Sequence, residues 1–358
     1  WCFTGIDAEP VPSILRGFSA PVILDIAEDN ARLALRMAHG SDPFNRRDAA
    51  QRYMERVVLA LAADAAAGRP MEVPQAFGHA FRALLVSETL DPAFVAETLA
   101  LPSETYLLER MQPADPAPLR AALIHLTREL GQAMQADFLA RYLDLEVEGD
   151  YRYHPLDAGK RALRNLCLRY LAAWGGPTAI DLAGKQFEHA GNMTERYGAL
   201  VALVQSDAPR RIDALAAFHE RYKDDALVLD KWFQLQAGAW RWSDSAPATL
   251  EQVRELMANP AFSLSNPNKV YSLLGTYFKA NAAEFHRPDG AGYAFWAEQV
   301  VALDKSNPQV ASRMARALEG WRKFTPEIQA RIRLALEKVA AAQDLSPDVT
   351  EIIGKALA

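Results

Sequence analysis

DPFNRRDAAQRYMERVVLALAADAAAG, residues 42–68, decides the fold class. Its apolar side chains Ala49, Tyr53, Met54, Val57, Val58, Leu61, Ala62 and Ala65 recur every three or four residues, which places them on one stripe of an α-helix. Asp42 before Pro43 is a start signal. An Asp side chain accepts from the orphan N–H groups of a first turn, and proline at the first helical position gives up a donor that had no partner. Gly68 supplies the stop. The same device recurs at Asp91-Pro92, Asp115-Pro116, Asn266-Pro267 and Asn307-Pro308. A second stripe, Leu119, Leu123, Leu126, Leu130, Met134, Phe138 and Tyr142, predicts another helix running through all of these positions. Further helices are expected over 157–173, 194–205, 209–222, 224–240, 248–258, 268–281, 290–303, 308–323, 326–342 and 346–357.

About a dozen or more such helices cannot bury their stripes around one small core, so neighbouring antiparallel pairs must stack. The expected fold class is mainly α, an irregular superhelix or solenoid, because no strict repeat period is present. Its concave face is long enough to line a cavity or wrap a partner. Upstream of about Asp29 the pattern differs. Pro10, Pro12 and Pro21 interrupt short apolar alternations such as Ala20-Pro21-Val22-Ile23-Leu24, which read as a short N-terminal β remnant. With Trp1 as its first residue, the sequence is expected to be a piece whose upstream portion is missing.

Among the 358 residues, 39 are Lys or Arg and 45 are Asp or Glu, a net charge of −6. That balance offers no overall positive field for a phosphate backbone, and nucleic acid is not an expected partner. The longest apolar runs, such as Val57 to Ala63, fall short of the roughly 18 residues a membrane span needs. Two cysteines, Cys2 and Cys167, make neither a disulfide framework nor a zinc cluster; they fit a reducing compartment and read as small buried hydrophobes.

The search for chemistry is largely negative. No two of the seven histidines have the i, i+4 spacing that pairs imidazoles on one helical face for zinc. His219-Glu220-Arg221-Tyr222-Lys223 places a cation where a second ligand is required, and reads as a solvated helix end. The 17–21 segment lacks the second glycine of a nucleophile elbow. Gly184-Lys185 lacks the upstream glycine of a phosphate loop, and Gly290-Ala291-Gly292 reads as a turn. Asp224-Asp225 suits a helix start. Trp232, Trp240 and Trp242 read as packing between helices. No catalytic centre emerges from residue chemistry alone.

Several strings, in order, carry a resemblance: Lys185-Gln186-Phe187-Glu188-His189-Ala190-Gly191-Asn192-Met193-Thr194, Asp230-Lys231-Trp232-Phe233, Ser265-Asn266-Pro267-Asn268 and Ser306-Asn307-Pro308-Gln309-Val310-Ala311-Ser312-Arg313. With Pro10-Val11-Pro12-Ser13 and the 17–22 segment, they make almost the whole chain resemble the C-terminal region of the bacterial aminopeptidase N family, zinc-dependent alanyl aminopeptidases of the gluzincin type. The resemblance implies that residues 1–26 are the tail of an upstream β-sandwich domain and 27–358 the C-terminal helical domain. It implies that this domain encloses the active-site cavity and gates peptide access, with no catalytic or metal-binding residue and no cofactor of its own. Zinc, the His-Glu-x-x-His helix and the Gly-Ala-Met-Glu-Asn motif would lie upstream. The implied partners are peptide substrates and the catalytic domain, with no membrane, in a monomeric, cytoplasmic bacterial enzyme. An independent α-solenoid scaffold for protein or peptide binding is the alternative.

Gln309 and Arg313 stand four apart, on one face of the helix that Asn307 caps. The residues alone leave Arg313 either as a planar fork for peptide carbonyls or a carboxylate, or as an ion pair within the array. The resemblance implies that Gln309 and Arg313 line the cavity on the leaving-peptide side. Tyr271, the third cavity-lining candidate, departs from the family pattern, because an enterobacterial-type member has Arg there. That departure removes the second arginine from any steering pair.

Overall fold

The computed structural model describes residues 4–7, 9–22, 24, 26–206, 208–242 and 248–358. Trp1, Cys2 and Ile23, which entered the readings above, lie outside the described residues. The helix decided by residues 42–68 is α2 (Pro43–Ala66), and the Asp42 side chain accepts from the Asn45 N–H at 2.9 Å. Before it stands α1 (Asn30–His39), capped by Asp29. There follow α3 (Gln75–Leu85), α4 (Pro92–Leu99), α5 (Glu104–Arg110), α6 (Pro116–Ala133), α7 (Gln135–Asp144), α8 (Pro155–Trp174), α9 (Pro177–His189) and α10 (Met193–Val204). The second half continues with α11 (Arg210–Tyr222), α12 (Ala226–Ala237), α13 (Thr249–Met257), α14 (Pro267–Val270), α15 (Thr276–Ala280), α16 (Ala282–Phe285), α17 (Ala291–Asp304), α18 (Pro308–Ala315), α19 (Pro326–Ala340) and α20 (Pro347–Leu357). Each Asp-Pro or Asn-Pro start forms as expected. Asp91 and Asp115 cap α4 and α6, and Asn266 and Asn307 cap α14 and α18.

Neighbours stack along the chain, α1 on α2, α2 on α6, α6 on α8, α9 on α10, α17 on α18 and α18 on α20, an α solenoid. The apolar stripes bury two aromatic clusters. In the first half Tyr53, Phe77, Phe81, Phe138 and Tyr170 form a chain of ring contacts, ending in the Phe138–Tyr170 stack at 4.9 Å. In the second half Tyr277, Phe278, Phe285, Tyr293 and Phe295 meet edge to face or tilted. Close packing is enforced at Gly131, where a Cβ would lie 2.4 Å from the Tyr170 carbonyl oxygen.

A buried polar junction ties the halves together. Arg120 of α6 donates to both carboxylate oxygens of Glu104 (3.0 and 2.7 Å) and to Asn281 at 3.0 Å, and its guanidinium lies over the Trp240 ring. Asn281, fully buried, donates to the carbonyls of Ala237 and Ala239. This network satisfies groups whose burial alone would cost several kcal/mol.

Three expectations are corrected. The N-terminal β remnant does not form: among the described residues up to 26 there is one 3-10 turn, Arg16–Phe18, and no strand. The stretch docks instead by the Gly17 N–H donating to Asp42 and by Phe18 against Phe44. The Leu119–Tyr142 stripe is two helices, divided at Met134 (φ −117°, ψ 25°). The helices expected over 268–281 and 308–323 are broken: a π-turn, Tyr271–Gly275, joins α14 to α15, and 3-10 turns at Arg316–Leu318 and Trp321–Lys323 follow α18.

Candidate functional site

The broken segments meet at the predicted site. Asn307 accepts from the Val310 N–H at 3.1 Å, which fixes the start of α18 and puts Gln309 and Arg313 on its exposed face. Asn266 likewise starts α14 by accepting from Asn268 at 3.0 Å. One turn later the backbone widens into the π-turn, which adds one residue to the turn and re-aims the side chains beyond it; such turns favour functional sites. Lys269 anchors this segment: its buried ammonium pairs with Asp230 at 2.7 Å and donates to the Ala226 carbonyl.

The structure brings two of the three predicted residues together. Arg313 donates to the Tyr271 hydroxyl at 3.0 Å, with its guanidinium carbon 5.7 Å from the ring centre. Tyr271 thus holds the Arg313 side chain by hydroxyl and ring. Arg313 forms no ion pair among the described residues, and its hydrogen-bond partner there is the Tyr271 hydroxyl. Gln309 stands one turn earlier on α18, and its side chain makes no hydrogen bond among the described residues.

Sequence reasoning missed two more cations here. Burial lowers the Lys279 pKa, and Arg316 and Arg313 lower it further, which makes these three a common positive edge. Arg316 is compensated by Glu319 at 3.0 Å, and Arg313 and Lys279 are not paired among the described residues. The Arg313/Arg316 spacing was visible in the sequence. Lys279 reaches the edge only through the π-turn. The arrangement offers fixed positive charge and N–H donors to a carboxylate or a line of carbonyls.

The other motifs take structural roles. Glu220 pairs with Lys223 at 2.7 Å at the end of α11, and His219 rests on Trp232. Trp232 donates from its indole to the Leu215 carbonyl, and Trp240 and Trp242 pack together 5.8 Å apart. Asp225 caps α12. Burial pushes the Cys167 thiol up to about 12, so it is an inert apolar filler.

A family model described as "Domain of unknown function (DUF3458_C) ARM repeats" matches residues 30–358. The chain is 37% identical over 356 residues to aminopeptidase N of Escherichia coli, covering 99% of this chain and 40% of that protein. It is 39% identical over 357 residues to aminopeptidase N of Caulobacter vibrioides, with 98% and 40% covered. The chain therefore spans about 40% of the length of these curated relatives, and it matches their C-terminal part. Among solved structures, a crystal structure of Legionella pneumophila aminopeptidase A in complex with aspartic acid superposes with a TM-score of 0.85 at 30% identity, covering 99% of this chain and 41% of that one.

Proposed function

Because the chain belongs to the DUF3458_C family of ARM-repeat domains, we propose that it is the helical part of a bacterial zinc aminopeptidase that removes N-terminal residues from peptides. The observation that carries this reading is the match along 99% of the chain to the C-terminal part of an aminopeptidase N. In this reading residues 1–26 end a preceding β-sandwich domain and 27–358 form the helical domain, which packs on the catalytic domain and gates a peptide-accessible cavity. The whole protein is a cytoplasmic monomer. No helix among the described residues is long and apolar enough to cross a membrane.

The described residues do not fit a zinc ion. His286 is committed to the Tyr293 hydroxyl and His189 to the Lys185 carbonyl. No group of three or more His, Cys, Asp or Glu among the described residues could hold a metal. Zinc is assigned to residues outside this chain, and no residue here is given a step at the metal. The chain's own contribution is positional. Arg313, steadied by Tyr271 and flanked by Gln309 and Lys279, takes the carbonyls or terminal carboxylate of the leaving peptide.

The test is aminopeptidase turnover of alanyl and leucyl chromogenic substrates, with metal analysis, on the 358-residue chain and on a longer protein that contains it. Zinc and turnover in the longer protein alone support the proposal. Zinc-dependent turnover by the 358-residue chain overturns it.

A further inference from the structure

The string Lys185–Thr194, so prominent in the sequence, has no part in the site around Arg313. Most of it lines a separate cavity of about 480 Å3, bounded by α7, the 146–151 segment, α8, α9 and the start of α10. We propose that this cavity binds a small organic oxyanion, larger than phosphate, that also carries a hydroxyl or N–H donor.

The strongest observation is Arg161 of α8. It is 4% exposed and lines the cavity, yet its guanidinium has no hydrogen bond and no ion pair among the described residues, with Nε wholly buried. Among the other buried arginines, Arg36 pairs with Glu28, Arg120 with Glu104 and Arg164 with Glu195, and Arg196 donates to the Phe187 and Ala190 carbonyls, so each has acceptors that Arg161 lacks. A buried charge without a counter-charge is costly, and the cost is removed when an anion enters. Tyr151 covers one face of the guanidinium at 4.9 Å, leaving the edge of the fork for a planar or tetrahedral oxyanion.

Charge on the cavity wall favours the same ligand. The carboxylates present, Glu195 and Glu146, are engaged by Arg164 at 3.1 and 3.4 Å. Arg161 and the exposed Lys185 are left uncompensated among the described residues. His189 gives its Nδ1 to the Lys185 carbonyl, which leaves Nε2 free toward solvent.

Gln186 supplies the second requirement. It is 6% exposed, and its amide nitrogen donates at 2.8 Å to both Asn165 Oδ1 and the Glu195 carbonyl, which fixes the amide. Gln186 lines the cavity, and its Oε1 is buried with no hydrogen-bond partner. An acceptor held there asks for an O–H or N–H on the ligand, since an unmade buried hydrogen bond costs about 1–3 kcal/mol. The volume is that of a small-molecule site rather than an ion site, and Leu143, Val147 and Leu182 give it an apolar side.

Titration calorimetry on the 358-residue chain tests this with citrate, tricarballylate (citrate without its hydroxyl) and glycerol 3-phosphate. Saturable one-site binding of citrate or of glycerol 3-phosphate is expected, and the tighter of the two identifies a carboxylate or a phosphate ester as the ligand. Arg161→Gln and Lys185→Ala should each weaken it by about tenfold or more. Tricarballylate should bind about tenfold more weakly than citrate, and Gln186→Met should erase that difference. Lys185 is exposed, so its variant decides the matter if Arg161→Gln fails to fold. Absence of saturable binding by both hydroxyl-bearing anions up to about 10 mM, or binding that neither Arg161→Gln nor Lys185→Ala weakens, overturns the proposal.

Discussion

The first half of the molecule and the segment from Pro267 to Lys323 are built from the same kinds of residue but solve different problems. In α2 and α8 long stripes run from a clear start to a clear stop, and Tyr53 and Tyr170 join the rings of α3 and α7 in one continuous core. In the 267–323 segment equally good stripes are cut into short α pieces by a π-turn and two 3-10 turns. The breaks are where Tyr271, Lys279, Arg313 and Arg316 collect. Regular helices bury area; irregular ones aim side chains. The contrast predicts that substitutions in the first half and at the junction are felt mainly in stability, and substitutions around the breaks mainly in binding.

The largest effect should come from the junction that joins the two regions. Arg120→Ala leaves Glu104 charged and buried without its partner and should cost about 3–5 kcal/mol, read as a large drop in the denaturation midpoint. A second effect is set by pH in the aromatic core of the second half. Burial, and then Lys323, hold the His286 imidazole down at about 3 from its ordinary 6.5. The unfolded chain therefore binds a proton between pH 6.5 and 3 that the folded chain refuses. The stability is fully present above 6.5 and is lost as pH falls through that window. His286→Gln, which cannot titrate there, should flatten the slope of midpoint against pH.

Gly131→Ala presses a methyl onto the Tyr170 carbonyl and should cost about 1–3 kcal/mol, testing how tightly α6 and α8 approach. Asn307→Ala removes the cap of α18 and should cost about 1 kcal/mol. Smallest of all, Arg313→Ala should change stability by no more than about 0.5 kcal/mol, since the side chain is exposed and outside the core. A large stability loss at Arg313, or a negligible one at Arg120, would break the contrast.

The legible part of the fold was what local chemistry writes directly. Asp or Asn before proline marked five helix starts correctly, because cap and ring each act within one turn. The breaks were illegible for the converse reason. Met134, Phe138 and Tyr142 keep the four-residue spacing across the divide between α6 and α7, so the stripe does not record the kink. The π-turn at Tyr271 involves no proline, and its consequence, Arg313 on the Tyr271 hydroxyl, is a contact between residues 42 apart. Helix α9 was passed over although Gly176-Pro177 opens it. At the site, Gln309, Arg313 and Tyr271 came from a resemblance rather than from residue chemistry, and the unmatched Arg161 came from neither. A missing partner is a property of the packed structure alone.

The central claim, that this chain serves chemistry elsewhere by holding the leaving side of a peptide, is tested most directly by Michaelis constants of the longer protein carrying Arg313→Ala. A short peptide and an amino-acid anilide are compared, since only the peptide has a leaving chain to hold. The account predicts that KM for the peptide rises about tenfold while kcat and both constants for the anilide stay within about twofold. Equal losses with both substrates, or no change with either, would contradict it.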